Sequence, residues 1–190
     1  MIRKFVLLIA SAGLFAAATS PAMAQQMDTR EVTGFGPQFF GGASPIPRAT
    51  VYFPENYAPG TIVISTAERR LYLVEGNGQA LRYGIGVGRD GFRWSGVHHI
   101  TAKKEWPSWT PPREMLARRP DLPRHMEGGI ENPLGARAMY LGSTLYRIHG
   151  SNEPETIGQA VSSGCFRMTN DDVTDLYSRV SVGALVIVKN

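Results

Sequence analysis

A chain of 190 residues is the length of one domain, and 43% hydrophobic against 19% charged residues excludes general disorder. One cysteine excludes an internal disulfide and any multi-cysteine zinc or iron–sulfur site. Glycine and proline, 21 and 13 residues, favour many turns over long helices.

The first two dozen residues are predicted to be a signal peptide. Arg3 and Lys4 precede an apolar run over residues 5–18, and Pro21-Ala22-Met23-Ala24 offers the small residues of a cleavage site before Gln25. The run is shorter than the roughly 20 residues a membrane-spanning helix needs. The chain is therefore read as exported to the periplasm or cell wall, without a stable membrane span. Of the 20 basic residues, two fall in this leader, leaving 18 against 16 acids. A mature net charge of +2 predicts no nucleic-acid partner.

Residues 25–59, rich in glycine and proline, read as an irregular arm. From residue 61 the texture changes. Residues 61–65 and 71–74 are β-rich runs separated by the charged turn Ala67-Glu68-Arg69-Arg70. Gly76-Asn77-Gly78 predicts a second turn, and residues 81–87 alternate like a strand. Further strands are expected over residues 97–102, 138–141 and 144–148. Between them, residues 105–133 hold Trp106, Trp109 and six prolines, which excludes a central strand. Only residues 113–119 there are free to form a short helix. One convincing helix follows Asn170, the expected N-cap, with Val173, Leu176, Tyr177 and Val180 on one face and Gly183 beyond its end. Residues 184–188 close the domain as a strand. The pattern is mainly β, a sandwich or curled mixed sheet with one packed C-terminal helix and a Trp/Pro-rich loop.

The chemistry concentrates late in the chain. Cys165 sits in Ser162-Ser163-Gly164-Cys165-Phe166-Arg167-Met168, where the glycine permits a tight turn with amides aimed at a reacting carbonyl. Arg167 is placed to favour the thiolate or hold a substrate carboxylate. His149, at a strand end before Gly150, is suited to act as a base, and cysteine with histidine is a minimal nucleophile pair. The competing reading is a small buried thiol. A zinc site from His98, His99, His125 and His149 is disfavoured, because adjacent strand residues face opposite ways and no H-x-x-x-H pair exists. Gly84, Gly86 and Gly88 precede no helix and are not a nucleotide loop.

The blocks Ile148-His149-Gly150-Ser151 and Ser162-Ser163-Gly164-Cys165-Phe166-Arg167-Met168, followed by an Asn-Asp-Asp helix start, resemble the signature of the L,D-transpeptidase catalytic domain, the YkuD-like family. Residues 62–72, Gly86-Val87-Gly88, Pro107-Ser108-Trp109-Thr110-Pro111-Pro112 and Asn132-Pro133-Leu134-Gly135 agree, so the likeness covers about residues 60–189 and implies a catalytic domain over residues 60–190. The resemblance implies that fold and an acyl transfer on peptidoglycan stem peptides without a cofactor. Cys165 would be the nucleophile and His149 the base, with the Gly150 carbonyl orienting the imidazole. The amides of Gly164 and Cys165, with Ser163, would form the oxyanion hole, and Arg167, Trp109 and Ser162 would meet substrate. Many members have histidine where Ser163 stands. The acceptor is left open: a second stem peptide, a wall-attached protein or water, the last making an L,D-carboxypeptidase. Two other readings are a papain-like peptidase, disfavoured because every histidine precedes the cysteine, and a non-catalytic wall-binding module.

Overall fold

Residues 43–190 are described by the computed structural model; the predicted signal peptide and the first part of the arm lie outside the described residues. Strands β2 (Ile62–Ser65) and β3 (Arg70–Gly76) form the expected hairpin, with Ile62 opposite Leu73 and Ile64 opposite Leu71. Strand β4 (Gln79–Gly84) returns through Asn77-Gly78, whose φ values of 51° and 71° match the mirror-image turn that suits strand twist. Leu71, Leu73, Leu81 and Tyr83 point to one face and are buried in the main core. Val63, Val74 and Ala80 face the other way and pack with Phe53.

The arm is not wholly irregular. Ala49–Tyr52 form strand β1, antiparallel to β4 at the sheet edge, with Ala49 opposite Arg82. Pro45, Pro47 and Pro54 confine it to four residues on an edge, which is why composition alone hides it. Ile46, just before it, lies over two bare glycines. A Cβ on Gly84 would come within 2.6 Å of Ile46 Cβ, and one on Gly158 within 2.8 Å of its Cδ1.

The remaining elements are β5 (Val87–Gly88), β6 (Gly96–Glu105), α1 (Arg113–Arg118), β7 (Arg137–Leu141), β8 (Arg147–His149), β9 (Ala160–Ser162), β10 (Phe166–Arg167), α2 (Asn170–Arg179) and β11 (Leu185–Lys189). Nine strands run in the order β1-β4-β3-β2-β11-β6-β7-β8-β10, and β5 pairs separately with β9. Most pairs are antiparallel; β11 with β2, β10 with β8 and β5 with β9 are parallel. Strand β6 pairs through residues 96–99 with β11 and through residues 100–105 with β7, with a register irregularity between Ile100 and Ala102. Such an irregularity bends a strand. The bend lets Ile64 and Tyr83 from one half of the sheet share a core with Met139, Ile148 and Phe166 from the other. This is the expected curled mixed sheet.

Helix α2 seals that core through Val173 and Leu176, with Val180 at its C-cap. Its N-cap is Thr169 rather than Asn170: the Thr169 hydroxyl accepts the Asp172 N–H at 3.2 Å. Asn170 is buried, and its Oδ1 instead accepts the Ala136 N–H at 2.9 Å. At the other end Lys103 Nζ donates to the carbonyls of Tyr177 and Val180 at 2.7 and 2.6 Å, satisfying groups the helix leaves open. The expected strand over residues 144–148 shrinks to β8. Thr144 closes a turn first, donating its hydroxyl to the Leu141 carbonyl at 2.6 Å and accepting the Tyr146 N–H at 3.0 Å.

Candidate active site

Strands β8 and β10 place the chemistry. In their parallel register Phe166 lies beside Ile148 and Arg167 beside His149. Phe166 and Ile148 are buried in the core. Strand alternation therefore turns Arg167 and His149, with Cys165 and Arg147 one step back, to the opposite face. These four line a cavity of about 1010 Å³. Its opposite wall comes from the Trp/Pro-rich segment, including Trp109, Met115 of α1 and Met126. Trp109 is buried, and its backbone exchanges two 2.8 Å hydrogen bonds with Met126. Buried Asn132 fastens that segment by donating Nδ2 to the carbonyls of Pro107 and Glu127 at 3.1 and 2.9 Å.

The turn before Cys165 depends on glycine. Gly164 has φ +107°, and a Cβ there would lie 2.5 Å from Tyr146 Cε1. Ser162, expected to meet substrate, is buried and uses its hydroxyl within the turn: it accepts the Gly164 N–H at 3.1 Å and donates to the Cys165 carbonyl at 2.6 Å. The Gly164 amide, expected in the oxyanion hole, thus has an internal partner. Ser163 accepts a 3.4 Å contact from Arg89 Nη1 through its hydroxyl.

His149 is buried, with Nδ1 at 2.6 Å from the Gly150 carbonyl. A carbonyl only accepts, so Nδ1 carries the proton and Nε2 keeps a lone pair. Burial, reinforced by Arg167, lowers the imidazole pKa to about 3, with the carbonyls of Gly150 and Pro133 opposing. Cys165 is half-buried, and its thiol donates to the Leu145 carbonyl at 3.8 Å. Burial pushes the thiol up from its ordinary value, against the downward pull of Arg147 and Arg167. Among the described residues no hydrogen bond joins Sγ to His149. Arg167 donates to Glu153 at 2.7 Å.

Arg147 and Glu153 escaped the sequence reading. Arg147 was findable, since it stands two residues before His149 in the same strand and so shares its face. Glu153 carried no signal, because it arrives on a loop. The other histidines stand apart from the cavity lining. His98 is half-buried, edge-on to Trp94 at 5.2 Å, while His99 and His125 are exposed. Among the described residues no group of three or more His, Cys, Asp or Glu could hold a metal ion.

Residues 59–188 match the family model of the L,D-transpeptidase catalytic domain, YkuD. The chain is 37% identical over 155 residues to Probable L,D-transpeptidase ErfK/SrfK of Escherichia coli K12, covering 77% of this chain and 48% of that protein. It thus spans about half the length of that curated relative. A Brucella melitensis structure described as a probable carnitine operon oxidoreductase is 49% identical, with a TM-score of 0.51 over 73% of this chain and 90% of that one. L,D-transpeptidase 3 of Mycobacterium tuberculosis, solved with a faropenem-derived adduct, shares the fold at a TM-score of 0.53 and 15% identity, covering 68% of this chain and 60% of that one. With the family match spanning most of the described residues, including all that line this cavity, the chain belongs to the L,D-transpeptidase catalytic domain family.

Proposed function

We propose that this protein is an exported peptidoglycan L,D-transpeptidase in which Cys165 carries the acyl group. The observation that carries the reading is the β8–β10 register, which brings Cys165, His149 and two arginines to one face of a cavity large enough for a peptide. A resting thiol raised by burial beside a neutral imidazole calls for general-base catalysis rather than a standing thiolate–imidazolium pair.

The thiol turns from the Leu145 carbonyl toward His149 Nε2. Sγ attacks the carbonyl carbon of the third stem residue as the S–H proton passes to Nε2. The Cys165 N–H, with the neighbouring turn, faces the oxyanion, and Arg147 and Arg167 stabilise negative charge. The tetrahedral species collapses by breaking the C–N bond to the terminal D-alanine, whose amine takes the Nε2 proton. The thioester is then attacked by an acceptor amine; its proton goes to Nε2, the acyl group leaves sulfur, and the thiolate recovers a proton. The Gly150 carbonyl keeps the imidazole in the right tautomer throughout.

A stem tetrapeptide ending in D-alanine tests this. The protein should release D-alanine and form a peptide–amine product when an amine acceptor is present, while Cys165→Ala and His149→Ala release none. D-alanine release with free tripeptide as the sole product, whatever amine is supplied, would assign the site to hydrolysis. No release by the folded protein would leave a binding module.

A further inference from the structure

Trp94 stands behind the catalytic turn and does not line the cavity. Its indole N–H donates to the Gly164 carbonyl at 2.8 Å. Its ring stacks on Tyr146, with centroids 4.4 Å apart and planes 13° from parallel, and leans on Phe166 at 5.4 Å. Tyr146 in turn abuts Gly164, where no side chain fits. The indole is therefore braced on Tyr146 and Phe166, with His98 edge-on to it, while it holds one carbonyl.

That carbonyl belongs to the same peptide unit as the Cys165 N–H. The unit is planar and trans, so its C=O and N–H point in opposite directions. A donor that fixes the Gly164 oxygen thereby aims the Cys165 hydrogen away from Trp94. The Ser162 hydroxyl holds the next carbonyl, that of Cys165, at 2.6 Å, so the segment is held on both sides of the amide. We infer that Trp94 is a positioning residue for acyl transfer, fixing the Cys165 amide as oxyanion donor through the Gly164 carbonyl. The inference rests on the acyl-transfer reading above.

Two rates measured on the same protein separate positioning from a general structural role. Alkylation of Cys165 by iodoacetamide is a displacement at carbon that develops no oxyanion. Acylation by a carbapenem develops one at the opened lactam carbonyl. Trp94→Phe retains an aromatic ring and removes the N–H. It should slow acylation about tenfold while alkylation stays within about twofold of the parent. Site-specific replacement of Trp94 by 3-benzothienylalanine, which keeps the bicyclic shape without the donor, should give the same split and covers the case in which Trp94→Phe does not fold. Equal loss of both rates, or loss of neither, would overturn the positioning role. A parent protein that is alkylated but never acylated would instead overturn the acyl-transfer reading on which it rests.

Discussion

At the scale of single residues, burial acts on both members of the proposed nucleophile pair, Cys165 and His149, and in opposite directions. It disfavours the thiolate of Cys165 and the imidazolium of His149, so each is neutral at rest. The rate of Cys165 alkylation by iodoacetamide should therefore keep rising above pH 9, the ordinary thiol value, whereas a plateau near neutrality would show a preformed thiolate. His149 also leaves a mark on stability. Its pKa falls from 6.5 to about 3 on folding, so between these values the unfolded chain binds a proton that the folded one does not. Stability should fall as pH drops through that window and be insensitive to this group above it. Urea unfolding of His149→Gln should lose part of that acid dependence, by several kcal/mol at most. Gly164→Ala should cost about 1–3 kcal/mol in the same assay, from its positive φ and the Tyr146 contact, and slow acylation as the turn shifts. That His149 and Cys165 would meet beside a glycine turn was legible in the sequence, because all three sit in two short blocks. The charged groups that shift their ionisation were less so: Arg147 is visible only through strand period, and Glu153, which pairs with Arg167, left no trace in the sequence.

Elements divide in the same way. The β2–β3–β4 meander was readable because β-branched runs, a charged turn and Asn77-Gly78 all point to one answer. Strands β9 and β10, of three and two residues, are too short to show any period, and each exists through one parallel partner, β5 for β9 and β8 for β10. Thr144 illustrates a local contest in which a side chain closes a turn and removes residues 144–146 from a strand their composition favours. For α2, sequence placed the helix within one residue and missed the cap, because Thr169 and Asn170 are both good caps and the Asn170 side chain is turned to the Ala136 N–H. The far end of α2 offers a clean test. Lys103→Met removes a charged donor from two helix carbonyls and should destabilise the protein by about 1.5–3 kcal/mol in urea unfolding. Because Lys103 does not line the cavity, carbapenem acylation by the folded variant should be unchanged.

For the whole molecule, the described residues just ahead of the family match are structural. Residues 43–58 add an edge strand, place Ile46 over Gly84 and Gly158, and bring Phe53 into a cluster with Val63, Val74 and Ala80. A protein starting at residue 59 should unfold at least about 5 °C below one starting at residue 43, read by differential scanning calorimetry; equal transition temperatures would show the segment to be dispensable. The leader proposed for residues 1–24 is checked separately by N-terminal sequencing of exported protein, which should begin at Gln25. The proposed function requires this cavity to hold an acyl-transfer nucleophile. Its most direct test is the intact mass of residues 25–190 after incubation with a carbapenem, beside Cys165→Ala. One stoichiometric adduct on the parent and none on Cys165→Ala is the expected result. A folded parent that gains no mass, or an adduct that persists in Cys165→Ala, would contradict it.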